Sequence, residues 1–330
     1  MATISPAQGF QLLGRAIRNY ITKRLIIVSY EVTLSCNCDC RHCDLGGVIK
    51  DEKQIKPDQY GDLTRRLKPL AAQISGGEPL LRRDIAAVVK AIKQAGVQYA
   101  ILVTNGALLN ESNYLELREA GVNQFSVSLD FPDERHDEFR RRPGLYRRLE
   151  QSLPRLAQLG FRDIILNTAI TKANLREILP LAKKATEWGV DISYSAYTPL
   201  RTGNQDYCLK NGEDLGILRR AIDDLVTLKR QGICLANPEP NLRDTLRFFE
   251  QGHTPNCKAG IRFLVVMPDG SLVPCSHHRS KYTTRKEMME KFSRTNRCSD
   301  CYVAIRSYCE MSFFSQVKNL PKYAEHIIPH

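Results

Sequence analysis

Four cysteines within eight residues are the feature of this chain that most clearly suggests chemistry. They stand in the run Cys36-Asn37-Cys38-Asp39-Cys40-Arg41-His42-Cys43, directly after an apolar segment. Cys36, Cys40 and Cys43 have the spacing CxxxCxxC, so one flexible loop can offer three thiolates to three irons of a cubane cluster and leave the fourth iron open. A ferredoxin cluster with four cysteine ligands only carries electrons, whereas an open iron can bind and orient a small molecule. The loop therefore predicts a catalytic iron-sulfur site.

Two alternatives stay open at this loop. A structural zinc site also uses thiolates, although zinc knuckles usually take two separated ligand pairs and no second pair lies close by. Cys38 falls outside the CxxxCxxC spacing and could replace one of the three ligands. The chain holds eleven cysteines, and in a reducing compartment clustered cysteines are more often metal ligands than disulfides.

The elements that position this loop follow a strand-helix rhythm. Apolar runs alternate with segments of helical spacing, which predicts parallel strands joined by right-handed crossovers. The pattern alone allows either an open doubly wound sheet or an incomplete barrel, and in both the carboxyl ends of the strands carry the functional groups. The predicted strands are 25–32, 71–75, 99–104, 124–129, 163–168 and 191–196, and the predicted helices include 84–94, 145–158, 175–188 and 213–231.

Later strand ends carry further motifs, and together with the cysteine loop they resemble the radical S-adenosylmethionine (radical SAM) superfamily. The run Ser75-Gly76-Gly77-Glu78-Pro79 is similar to that family's GGEP motif, and His42 stands where the family usually has an aromatic residue. The resemblance implies a partial (β/α)6 TIM-like barrel that binds a 4Fe-4S cluster through Cys36, Cys40 and Cys43. It also implies reductive cleavage of S-adenosylmethionine to a 5'-deoxyadenosyl radical, which abstracts hydrogen from the substrate.

The resemblance also implies a set of cofactor-binding residues. His136, Asp137 and Arg140 match an HDxxR pattern, although Arg141 stands where the family commonly has glycine. Asn174 could instead cap a helix. The residues implied to contact S-adenosylmethionine are His42, Gly76, Gly77, Glu78, Pro79, Thr104, Asn105, Ser128, Asp130, Arg140 and Asn167.

A second group of cysteines follows residue 236. Cys257, then Gly270 and Cys275, resembles the opening of the SPASM or twitch auxiliary domains of the same superfamily, and Cys298 with Cys301 supplies another pair. The resemblance implies one auxiliary 4Fe-4S cluster, while a zinc ribbon is the alternative for two thiolate pairs. Cys309 could replace one of the four ligands. Cys208 and Cys234 stand apart from both groups and are expected to be packing residues.

These observations predict three parts of the chain. Residues 1–24 form a basic amphipathic helix that packs on the protein or touches a membrane surface, 25–235 form the radical SAM partial barrel, and 236–330 form a small α+β auxiliary-cluster domain. The net charge of +12 is scattered rather than gathered, so no nucleic acid partner is expected. No leader and no long apolar span appear, which predicts a cytoplasmic protein, possibly peripheral at the inner membrane face.

The predicted function is hydrogen abstraction from a peptide or small metabolite, giving oxidation or bond formation, with flavodoxin or ferredoxin as electron donor. A radical SAM enzyme acting on a membrane lipid or its precursor is one alternative. Another class remains as a second alternative: a non-catalytic electron-transfer protein, or a zinc-stabilised protein that binds nucleic acid.

Overall fold

One mixed sheet forms the centre of the molecule. The computed structural model describes Gly14, Arg18, Asn19, Thr22 and residues 24–310. Across these residues the strand order is β6-β5-β4-β3-β2-β1-β7-β8, parallel throughout except for the antiparallel pair β7 and β8. The run from β1 to β6 confirms the predicted α/β fold and partial barrel. The strands are β1 (Ile27–Thr33), β2 (Ala71–Gly76), β3 (Tyr99–Thr104), β4 (Gln124–Ser128), β5 (Ile164–Ile170), β6 (Asp191–Ala196), β7 (Phe263–Val266) and β8 (Leu272–Val273).

Helices cover the outer face of this sheet. Strands β3, β5 and β6 alternate between buried and partly exposed residues, because successive side chains point to opposite faces. The buried side packs against the helices, and the partly exposed side lines the inside of the barrel. The helices are α1 (Pro57–Leu67), α2 (Ile85–Gln94), α3 (Glu111–Ala120), α4 (Arg135–Arg140), α5 (Leu145–Ala157), α6 (Ile178–Glu187), α7 (Gly212–Arg230), α8 (Glu239–Gln251), α9 (Arg285–Met288) and α10 (Ala304–Glu310).

The segment after residue 236 joins the barrel sheet. Strand β7 pairs in parallel with β1, from Ile27 opposite Phe263 to Tyr30 opposite Val266. Strands β7 and β8 form an antiparallel hairpin. Helix α8 begins just after residue 236 and has a proline in its first turn, where proline is well tolerated. The boundary at residue 236 stays a prediction.

The amino-terminal helix predicted from residues such as Phe10, Leu13 and Ile17 lies outside the described residues. Among the helices that are described, none is long and apolar enough to cross a membrane.

Candidate active site

The first cysteine loop leaves β1 and turns back on itself. The backbone N–H of Cys36 donates to Gly47 O at 2.8 Å, and that of Arg41 donates to Phe139 O at 3.0 Å. Cys36, Cys38 and Cys40 are buried and Cys43 is half-buried, and all four are free thiols. Two local bonds to sulfur shape the loop further: Cys38 N–H reaches Cys36 Sγ at 3.4 Å, and Leu45 N–H reaches Cys43 Sγ at 3.4 Å.

Cys38 lies between two of the predicted ligands. Its thiol hydrogen-bonds to both Cys36 and Cys40, which lowers the pKa of Cys36 to about 6 and also lowers the pKa of Cys40, while the pKa of Cys38 rises well above its usual value. Burial raises the pKa of Cys43. Cys36 and Cys40 are thus favoured as thiolates, the form that binds metal, and Cys38 as the proton donor between them.

The glycines after β2 allow two strand ends to touch. A Cβ at Gly76, where φ is +135°, would lie 2.0 Å from Thr33 O, and a Cβ at Gly77 would lie 2.1 Å from Ser35 O. Gly77 N–H donates to Thr33 O at 2.8 Å and Glu78 N–H to Ser35 O at 2.8 Å. Only glycine permits this approach, so the GGEP motif packs directly against the start of the cysteine loop.

Glu78 is fully buried and its carboxylate joins two strand ends. One oxygen accepts from Thr104 Oγ1 at 2.7 Å and from Leu80 N–H at 3.1 Å, and the other accepts from Asn105 N–H at 2.7 Å. Burial raises the pKa of Glu78 to about 7. The contact of Glu78 with S-adenosylmethionine stays a prediction.

Asn105 continues this network to the first cysteine. Its side-chain Nδ2 donates to Asn37 Oδ1 at 2.7 Å and reaches Cys36 Sγ at 3.8 Å. Glu78, Thr104 and Asn105 therefore brace the cysteine loop from the neighbouring strands.

A buried ion pair reaches the loop from the other side. Arg140 Nε donates to Asp130 Oδ2 at 2.7 Å, and its Nη1 reaches Cys40 Sγ at 3.8 Å. Burial alone would raise the pKa of Asp130, but Arg140 holds it below its usual range. Burial lowers the pKa of His136 to about 3, and its neutral ring accepts from Asp130 N–H at 3.2 Å. Arg140 is thus a fixed positive charge beside the cysteine sulfurs. It keeps this place although Arg141, and not the glycine common in the family, follows it.

Other implied contacts surround the same space. His42 stacks on Phe139 with ring centroids 4.6 Å apart, so this imidazole takes the aromatic role expected before the last cysteine. Ser128 and Asn167 are register partners on the inner face of β4 and β5. Pro79 is buried and opens a single turn, Pro79–Leu81. The side chain of Asn174 does not cap the helical turn that follows it; its Oδ1 accepts from Thr171 N–H at 2.8 Å, and its Nδ2 donates to Asp130 O at 3.3 Å.

Five charged or polar side chains near the loop were missed by sequence reasoning. Arg201, in the loop after β6, has Nη2 2.5 Å from an oxygen of Asp44, the residue after Cys43. Arg279 Nη2 donates at 3.0 Å to Glu31 of β1. His277 faces Arg201, Arg279 and Asp44, and burial lowers its pKa to about 4. The only sequence signals were a carboxylate within an apolar strand and a histidine two residues after a cysteine.

The second cysteine group also converges. Electrostatic interactions connect Cys275 with Cys257, Cys298 and Cys301, and burial raises the pKa of Cys257, Cys275 and Cys301 to about 11. Cys309 is buried in the same hydrophobic cluster as Cys257, with Cys275 and Cys298 packed against that cluster, and the backbone of Ile27 hydrogen-bonds to the Cys309 thiol.

The residues of both groups fit iron-sulfur ligation. No described cysteine forms a disulfide, and the polar atoms Asn37 Nδ2, His42 Nδ1 and Asp130 Oδ1 are buried beside the first loop without a hydrogen-bond partner. Within residues 24–310 no three His, Cys, Asp or Glu side chains are placed to hold one metal ion. A cubane cluster makes a different demand, because each thiolate binds its own iron.

Comparison with known proteins gives one matching family and several relatives. Residues 30–191 match the model of the radical SAM superfamily. The chain is 33% identical over 189 residues to an AdoMet-dependent heme synthase of Methanosarcina barkeri, a match that covers 54% of this chain and only 52% of that protein. It is 25% identical over 285 residues to a probable GTP 3',8-cyclase of Methanothermobacter marburgensis, covering 80% of this chain and 88% of that protein.

Solved structures with the same fold include two proteins bound to peptides. Streptococcus suis SuiB bound to precursor peptide SuiA has a TM-score of 0.63 at 18% identity, covering 82% of this chain and 65% of SuiB. Native anSMEcpe with bound AdoMet and Cp18Cys peptide has a TM-score of 0.61 at 18% identity, covering 92% of this chain and 99% of that chain.

Proposed function

The chain belongs to the radical SAM superfamily through residues 30–191, and on that premise we propose that it cleaves S-adenosylmethionine reductively at a 4Fe-4S cluster held by Cys36, Cys40 and Cys43. The observation that carries the proposal is the convergence of these thiols with Asn105 and Arg140, which reach sulfur atoms from opposite sides. A cluster held there would supply the single electron that breaks a carbon–sulfur bond of the sulfonium, which would release methionine and leave a 5'-deoxyadenosyl radical to take hydrogen from the substrate.

The chain's own residues prepare this site. Arg140 places a positive charge beside Cys40, which favours thiolate and stabilises added negative charge. The contact between Gly77 and Ser35 leaves no room for a side chain, so the GGEP segment is held directly against the start of the cysteine loop. Ser128 and Asn167 lie on the inner face, where their polar groups can meet a ribose.

The proposed substrate is a peptide or a small metabolite. The enzyme would either oxidise it or form a new bond in it. The two solved structures bound to peptides support the first class by fold. The curated relatives named as heme synthase and GTP 3',8-cyclase support the second. We place a second, auxiliary 4Fe-4S cluster at Cys257, Cys275, Cys298 and Cys301, and flavodoxin or ferredoxin as electron donor.

Anaerobic reconstitution tests the proposal. Reconstituted protein should release 5'-deoxyadenosine from S-adenosylmethionine only when reductant is present, and S-adenosylmethionine should change the electron paramagnetic resonance signal of the reduced cluster. Cys40→Ala should lose both properties. Cys234→Ala is the matched control, because the groups that interact with this thiol are Thr186, Asp191 and Arg162 rather than other cysteines. Zinc in place of iron, or a signal that S-adenosylmethionine leaves unchanged, contradicts the proposal.

A further inference from the structure

The polar side chains beyond the first cysteine loop come from three distant parts of the sequence. Asp44 follows the loop, Arg201 follows β6, and His277 and Arg279 follow Cys275. Arg279 is fully engaged in holding the last of these segments, because its Nε donates to Ser276 O at 3.1 Å and its Nη2 to Glu31 at 3.0 Å. This contact seats His277 opposite Arg201.

Arg201 has buried donors that nothing in the described residues satisfies. Its Nε and Nη2 lack a hydrogen-bond partner, and so does Nδ1 of His277. An oxygen of Asp44 lies 2.5 Å from Nη2, but it does not lie along an N–H bond of the guanidinium. The pair is therefore in charge contact without the paired hydrogen bonds that arginine and a carboxylate usually form. Buried donors left in this state cost free energy and call for an acceptor.

Asp44 and Arg201 also differ in exposure. The Asp44 side chain is 34% exposed and that of Arg201 18%. Asp44 can therefore turn to water while Arg201 stays in place. An incoming oxyanion would then bind the planar guanidinium group of Arg201. The Asp44 carboxylate would move into water and not into an apolar environment.

We propose that Arg201 and His277 bind an oxyanion group of the substrate, a carboxylate or a phosphate, and that Asp44 holds this position when no substrate is present. The inference rests on the proposed function, because the site is useful only beside a working cluster. It adds that the substrate carries an acidic group, and that the auxiliary segment contributes directly to substrate binding through His277.

Matched aromatic probes test the site on the full chain with reconstituted clusters and S-adenosylmethionine. Benzoate carries a carboxylate, phenyl phosphate carries a phosphate, and benzamide has a similar ring without charge. Isothermal titration should show saturable binding of at least one anion and none of benzamide. Preference for benzoate identifies a carboxylate, and preference for phenyl phosphate identifies a phosphate.

The two members of the ion pair should respond in opposite directions. Arg201→Gln should weaken anion binding at least tenfold, whereas Asp44→Asn should tighten it several-fold because a competitor is removed. Arg219→Gln is the control, since Arg219 is an exposed arginine paired with Glu250 on the outer helices. Arg201→Lys keeps the charge but loses the fork, and should bind with intermediate affinity. Iron content, measured for every variant, shows that the clusters are intact.

Three results would overturn the inference: no saturable anion binding, equal weakening in Asp44→Asn and Arg201→Gln, or unchanged binding in Arg201→Gln. Equal weakening would mean that the pair is a structural ion pair. Failure of the proposed function is a separate result, because it appears as absent 5'-deoxyadenosine formation in the unmodified protein, whatever the titrations show.

Discussion

At the scale of single residues, Glu78 connects the second and third strand ends through one buried carboxylate. Thr104, Asn105 and Leu80 all donate to it, and Asn105 in turn reaches Cys36. Removing the carboxylate would leave these buried donors without an acceptor. The geometry of the cysteine loop therefore depends on a buried carboxylate from the end of the neighbouring strand.

Glu78→Ala should lower the free energy of unfolding by about 2–4 kcal/mol, because unsatisfied buried donors each carry a desolvation cost. Urea denaturation followed by circular dichroism measures the change. Glu116→Ala on the exposed face of α3 is the control, and it should stay within about 0.5 kcal/mol of the unmodified protein. A loss of similar size in both variants would contradict the bracing role.

Glu78 should also make stability depend on pH. The folded carboxyl has a pKa of about 7 against 4.5 in its ordinary state, so the folded protein holds a proton that the unfolded chain releases. Stability should fall as pH rises from about 4.5 to above 7, by at most about 1.4 kcal/mol per pH unit. Glu78→Gln, which cannot ionise, should lose this component in denaturation midpoints measured from pH 5 to 8. Equal slopes in the two proteins would count against the raised pKa.

Arg140 should set the reduction potential of the cluster. Its positive charge lies near Cys40 and favours the reduced, more negative cluster. Arg140→Gln should lower the potential by on the order of 50 mV, since roughly 59 mV corresponds to a tenfold change for one electron. Redox titration measures this, with the exposed Arg141→Gln as control. An unchanged potential in Arg140→Gln would show that the charge is not felt at the cluster.

At the scale of elements, the glycine pair at the end of β2 fixes how close two loops come. Gly77→Ala should destabilise the fold by several kcal/mol and prevent retention of the cluster, because the new Cβ would meet the carbonyl of Ser35. Gly216→Ala in α7 is the opposite case. The nearest atom there is 3.8 Å away, so alanine should stabilise the helix by about 0.5–1 kcal/mol. Thermal unfolding and iron retention of the two variants test the contrast, and equal stability would refute it.

The elements also show what sequence patterns can and cannot reveal. Strands β3 and β6 match their predicted bounds, because buried and partly exposed residues alternate along their whole length, as a strand requires. Helices α1 and α3 were not predicted, since each buries only a few side chains, as Tyr114 and Leu117 do in α3. The pairing of Arg201 with Asp44 could not be predicted from the sequence for a different reason. It joins loops 157 residues apart in the sequence, and no local pattern encodes such a contact.

At the scale of the whole molecule, the two cysteine groups predict two separate clusters. Cys275→Ala should lower the iron content from roughly eight to roughly four per chain while S-adenosylmethionine cleavage continues. Cys309→Ala should keep roughly eight, because the proposed ligands are the other four cysteines of this group and the Cys309 thiol already takes a backbone hydrogen bond from Ile27. Iron analysis after reconstitution measures both. Loss of iron in Cys309→Ala would assign that residue as a ligand.

The pairing of β7 with β1 has a consequence for how this protein can be divided. Both partners are almost completely buried strands, and β1 leads straight into the first cysteine loop. A truncation at residue 235 would uncover the hydrogen-bonding edge of β1 and offer it to other chains. We therefore expect that the segment after residue 235 cannot be removed without destabilising the barrel. The backbone hydrogen bonds between β1 and β7 also hold the two cysteine groups at a fixed distance from each other.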